Sequence, residues 1–235
     1  MARGNKKLPT QTGSPEVSDF LNKLALAPTV RSSNGAGRLL FAMDATASRE
    51  PTWDRACHTQ GEMFKATDAL GGLAVQLVFF RGFGECKNSS WLSSSDELVR
   101  RMTSVYCRGG RTQIGKVFAH AIRETKVRKI NALVFVGDAM EEEVDDLCHS
   151  AGKLGVLGVP IFVFQEGSDI VATQAFKQFA VLTGGAHCRF DGSSANQLKE
   201  LLAAVAVFAA GGLNALENYG KEAGPEVAQI TSQVK

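Results

Sequence analysis

The sequence predicts a Rossmann-like α/β sandwich, in which a mainly parallel sheet of about six strands with one antiparallel edge strand lies between two layers of helices. Three observations carry the prediction. Residues 37–44, 73–80, 130–137 and 159–165 are almost wholly apolar, as parallel strands buried on both faces should be. Segments with helical spacing of apolar residues separate them. The 235 residues, 44% hydrophobic and 21% charged, are enough for one domain with a large core.

In chain order, residues 1–14 are polar and contain Gly and Pro, which predicts a flexible tail. Residues 15–24 have helical spacing, with Ser14 as a cap. The strand at 37–44 leads to Pro51 near a helix start, and the helical pattern runs to about 70 before Gly71-Gly72 stop it. After the strand at 73–80, residues 85–92 read as a polar edge strand, and Ser94 or Ser95 can cap a helix reaching about Tyr106.

Helices follow at 112–125, 143–154, 168–183 and 193–210, with a short strand at 186–190. From Asn218 the chain turns polar and contains Gly220, Gly224 and Pro225, which predicts a second tail. The expected organisation is therefore a single domain over 15–217 with its core in 37–210, and tails at 1–14 and 218–235.

The charge argues against some function classes. Twenty-six basic and 24 acidic side chains leave a net charge of +2, too little to drive nucleic-acid or membrane binding by itself. The basic N-terminus has no apolar run behind it, so it does not read as a secretory signal and a cytoplasmic location is expected. Residues 201–210 are apolar but fall short of the ~20 residues of a membrane span, which predicts a buried helix. The five cysteines are odd in number and lack a C-x-x-C pair, so they read as reduced thiols; their adjacency to histidines is the wrong spacing for shared zinc.

Two buried strands end in carboxylates, Asp44 and Asp138, and the open ends of parallel strands are where such sheets bind ligands. After Asp44 come Thr46 and Ser48, each separated by alanine. In an extended stretch, positions i, i+2 and i+4 share a side, so one carboxylate and two hydroxyls converge. These hard oxygen donors suit Mg2+ or Mn2+.

That pattern resembles the von Willebrand factor A family, whose metal-ion-dependent adhesion site carries Asp-x-Ser-x-Ser, a distant Thr and a distant Asp. Asp44, Thr46 and Ser48 match the first element, with a Thr hydroxyl in place of Ser. Gly109-Gly110-Arg111-Thr112-Gln113-Ile114-Gly115 matches the second and nominates Thr112, with Arg111 where the family often has Gly. Asp138, in Gly-Asp-Ala-Met, matches the third. The resemblance covers about 37–210.

It implies a non-enzymatic interaction module whose Mg2+ or Mn2+ ion is held by Asp44, Thr46, Ser48, Thr112 and Asp138, with a partner's Asp or Glu completing the shell. Cytosolic relatives are often linked to AAA+ ATPases or stress-response complexes, so such a partner is expected.

Alternatives stand beside this reading. Asp44, Thr112 and Asp138 can each be simple caps. Gly110 to Lys116 also fits G-x-x-x-x-G-K, the start of a phosphate-binding loop, which would make the chain a nucleotide-binding or hydrolysing protein. Against that, Val117 stands where Ser or Thr should bind Mg2+, and a helix is expected before Gly109 where the motif needs a strand. Trp53 reads as a packing residue or a rim anchor. The acidic run Glu141-Glu142-Glu143 with Asp145 and Asp146 reads as a solvated helix start or as a charge guarding the site.

Overall fold

A computed structural model describes residues 37–51, 53, 73–190, 195–221 and 223–234. The expected tail at 1–14, the helix at 15–24 and most of the helix at 51–70 lie outside these residues.

Six strands form one sheet: β1 Gly37–Asp44, β2 Leu73–Arg81, β3 Glu85–Asn88, β4 Ala132–Gly137, β5 Ile161–Glu166 and β6 Ala186–Phe190, in the order β3-β2-β1-β4-β5-β6. All neighbours pair parallel except β2 and β3, which form an antiparallel hairpin at the edge. The polar stretch read as a strand to Leu92 stops at Asn88; Leu92 adds only an isolated antiparallel bridge to Val75.

Strand alternation divides the core in two. Leu39, Phe41 and Met43 of β1 point to one side, and Leu40 and Ala42 to the other. The second side is covered by α2 (Ile114–Val127), α3 (Val144–Val156) and α4 (Ile170–Thr183), whose Phe118, Leu154 and Phe176 are fully buried. The first side is covered by α1 (Ser95–Thr103), α5 (Ala195–Gly220) and α6 (Pro225–Thr231). Ser94 caps α1 by accepting from Glu97 N, and Gly184 closes α4 in the left-handed conformation.

Two helical expectations change. The helix expected to end near 210 continues to Gly220, broken at Gly212, where φ is +72°. It is the one described helix long and apolar enough to cross a membrane, and residues 201–207 are buried within the core. The segment 218–235, read as a tail, carries α6 instead. Pro225 occupies the first turn, Val227 and Ile230 are buried on one face of the helix, and Val234, after its end, is buried in the same core cluster.

The topology fixes where a ligand can bind. Chain connections from β1 lead to β2 on one side, whereas β4 lies on its other side, so the crevice opens beyond the C-terminal ends of β1 and β4. Met43 pairs with Val136, which puts Asp44 beside Gly137 and the residue that follows it, Asp138. Gly137 has to be glycine: a Cβ there would meet the Phe135 ring at 2.7 Å.

Candidate metal centre

Asp44 ends β1 with no exposed surface. Its Oδ1 accepts from Thr46 N at 2.8 Å, while its Oδ2 is buried with no hydrogen-bond partner. Across the crevice, Asp138 Oδ1 is buried and unpartnered in the same way. Burial pushes the Asp44 carboxyl up to about 6; the bonds from Thr46 pull it down, the Asp138 charge raises it and the Arg49 charge lowers it.

Thr46 Oγ1 and Ser48 Oγ lie 3.1 Å apart, Thr46 buried and Ser48 exposed; residues 47–49 form a short 3-10 turn with Thr46 at its N-cap, so the two hydroxyls meet through this turn and not through the extended stretch expected from the sequence. This turn is held from behind. Ala45 N donates to Phe80 O and Arg108 N to Ala45 O, both at 3.0 Å. Arg49, 1% exposed, anchors the turn's far end through an ion pair with Glu166 at 3.0 Å, at the end of β5.

The loop before α2 comes in across the β2–β3 turn. Arg111 N donates to Gly82 O at 3.2 Å, and the approach is so close that a Cβ on Gly110 would sit 2.0 Å from that oxygen. Gln113 occupies the N-cap position, but its amide goes to the carbonyls of Arg81, Gly82 and Glu85. Thr112 therefore is not the cap of α2.

Two glutamates from the Asp138 loop do that work. Glu142 accepts from Ile114 N and from Gly115 N, satisfying the open donors of α2 and meeting its positive end. Glu141 Oε2 accepts from Thr112 N at 3.1 Å while Glu141 N donates to Thr112 Oγ1 at 3.0 Å. The acidic run thus divides: Glu141 and Glu142 tie the Thr112 loop, and Asp145 and Asp146 lie exposed in the first turn of α3. Asp138 makes no cap, since Glu143 holds the N-cap position of α3 without a side-chain bond.

All five residues singled out in the sequence lie at one end of the sheet: Asp44 at the end of β1, Thr46 and Ser48 just beyond it, Thr112 before α2, and Asp138 after β4. Among the described residues no three His, Cys, Asp or Glu side chains gather as a metal site, so the acids come as a pair and hydroxyls must supply other donors. That donor set fits a hard divalent ion. Two buried carboxylate oxygens without partners give the ion a reason to bind. The sequence reads the glutamates as a solvated helix start or a charge guarding the site, not as clasps on the Thr112 loop, and does not single out Arg49.

This arrangement of strands and loops is matched in solved structures. The fold is that of a von Willebrand factor A domain. A von Willebrand factor type A protein from Catenulispora acidiphila superposes with a TM-score of 0.60 at 16% identity, over 72% of this chain and 42% of that one. Proximal thread matrix protein 1 of the mussel byssus, solved with a zinc-occupied MIDAS motif, gives 0.58 at 15% identity over 72% and 45%. The manganese-loaded TRAP protein of Plasmodium vivax gives 0.52 at 14% identity over 69% and 71%. No protein-family model and no curated protein matches the sequence. The chain spans less than half the length of the Catenulispora protein.

Within the von Willebrand factor A fold, the phosphate-loop alternative loses its geometry. The segment before Gly109 is α1 and a connection, not a strand. Val117 is fully buried, and Lys116 Nζ donates to Gly84 O at 2.9 Å and Gln113 Oε1 at 2.8 Å, which directs it to the hairpin. Trp53 is also settled: it is 5% exposed and its Nε1 donates to Val105 O at 2.8 Å, so it packs beneath the surface.

Proposed function

We propose that the chain is a non-enzymatic interaction module that binds a protein partner's Asp or Glu through a Mg2+ or Mn2+ ion. The observation that carries the reading is the pair of buried carboxylate oxygens without hydrogen-bond partners, Asp44 Oδ2 and Asp138 Oδ1, at neighbouring strand ends, with the paired hydroxyls of Thr46 and Ser48 following Asp44. Asp44, Thr46, Ser48, Thr112 and Asp138 would hold the ion, which supplies an open coordination position of high charge.

Mg2+ takes six oxygen ligands and keeps water where protein does not reach, so a partner carboxylate can replace a water. The residues around the site position and charge it. The zinc in the MIDAS motif of the mussel protein and the manganese loaded in TRAP support a divalent ion, and the choice of Mg2+ and a cytoplasmic location belong to the proposal. A protein partner of the kind seen with AAA+ ATPases or stress-response complexes remains the class to look for.

The test is capture by the tagged full chain in Mg2+ and in EDTA, with Asp44→Ala as control. The reading requires a partner retained only in Mg2+, lost in the variant, and released by substitution of a single acidic side chain on that partner. Equal capture in Mg2+ and EDTA would overturn it.

A further inference from the structure

A groove of about 600 Å3 lies along the outer edge of β6, away from the metal loops. Its floor is the last strand of the sheet, whose side chains His187 and Arg189 both point away from the side occupied by Ala186, Cys188 and Phe190. One wall is the final half of α4, with Lys177, Ala180 and Val181, and the turn at Gly184 and Gly185. The other is α6 and the turn after it, with Gln229, Ser232 and Gln233. Gln233 Oε1 closes the strand edge by accepting from His187 N at 2.9 Å.

The described lining is cationic. Lys177 and Arg189 are exposed, and among the described residues no carboxylate lines the groove. Arg189 Nε donates to a backbone carbonyl, Gly167 O, at 3.1 Å. His187 stays neutral, pushed down to about 4 by burial and then by the charges of Lys177 and Arg189. Its proton is placed: Gln165 Nε2 donates to Asp169 O, so Gln165 Oε1 accepts and His187 Nε2, 2.9 Å away, donates. Beside these polar groups Val181 leaves 79% of its surface exposed, an apolar wall next to two fixed charges.

We propose that this groove is a second binding site, for a small organic anion with a carboxylate or phosphate head held by Lys177 and Arg189 and a short apolar body against Ala180 and Val181. Its volume falls within the roughly 300–1,000 Å3 of small-molecule sites. Because the two walls come from different elements, the ligand adds to the contacts that hold α6 to the sheet edge, the Gln233 bond and the burial of Val227 and Ile230. The site stands whether or not the metal centre does.

The test is amide chemical-shift mapping of the full chain with hexanoate, hexyl phosphate and, as neutral control, hexanol. The proposal requires saturable shifts with at least one anion, confined to Gly184, Gly185, His187 and the 229–233 segment. Lys177→Gln and Arg189→Gln, both exposed and compatible with folding, should each weaken binding about tenfold by removing a charge-assisted bond. Which anion binds more tightly separates a carboxylate from a phosphate ligand. No saturable shift at these amides, equal binding of hexanol, or full affinity in both variants would overturn it.

Discussion

Thr112 and Glu141 exchange two hydrogen bonds, Thr112 N to Glu141 Oε2 at 3.1 Å and Glu141 N to Thr112 Oγ1 at 3.0 Å. Two loops that belong to different strands and helices are thereby clasped at the residue expected to meet the ion. Groups that orient a metal ligand are worth about 10- to 100-fold in affinity. Glu141→Ala should therefore weaken Mn2+ binding about tenfold, whereas Glu141→Gln, whose amide oxygen can still accept from Thr112 N, should restore most of it. In a Thr112→Ala background Glu141→Ala should cost little more. Calorimetric titration of the four variants checks this, and additive losses would mean that Glu141 acts independently of Thr112.

Asp44 makes the ion-free protein sensitive to pH. Its carboxyl ionises near 3.8 when unfolded and at about 6 when folded, so between these values the folded state holds the extra proton. Stability contributed by the protonated form is lost as pH rises through about 6, a penalty on the order of 3 kcal/mol at neutral pH. In EDTA, Asp44→Asn should melt at a higher temperature than the native chain at pH 7.5, and the two should converge near pH 4. Added Mg2+ should raise the midpoint of the native chain at pH 7.5 and leave Asp44→Asn unchanged. A variant less stable than the native chain at every pH would refute this account of Asp44.

The Arg49–Glu166 pair is almost enclosed, with side-chain exposures of 0% and 12%. Arg49→Met removes the cation beside the nearly enclosed Glu166 carboxylate, so it should cost about 3–5 kcal/mol in chemical unfolding, and adding Glu166→Leu should recover much of the loss. Equal destabilisation by the double change would place the effect in packing and not in charge.

Lys116 offers a check on the discarded phosphate loop. Its ammonium is exposed and bonds to Gly84 O and Gln113 Oε1, so Lys116→Ala should cost about 1 kcal/mol or less and leave Mn2+ affinity as it was. Nucleotide turnover abolished by this substitution would revive the enzyme reading.

Much of the scaffold was legible because its signals are local. The apolar run at 37–44 is β1 to the residue, and the helices at 114–127, 144–156 and 170–183 begin within two residues of where periodicity put them. The five residues proposed to hold the ion were singled out because each lies at or beside a strand end or helix start that the local pattern marks. Helix α6 was missed although Pro225 and the Val227, Ile230 spacing announce it, since Gly220, Gly224 and the polar residues between outweighed two apolar positions. The Glu141 and Glu142 clasps join residues 27 to 29 apart, and Arg49 finds Glu166 across the sheet. Such pairings depend on strand order, which no local pattern encodes.

Titration of the metal-free full chain with Mn2+ reaches the central claim most directly. The account predicts one saturable ion per chain in the native protein and none in Asp44→Ala or Asp138→Ala, with both variants folded by circular dichroism. No ion bound by the native chain, or undiminished binding in Asp44→Ala, would contradict it.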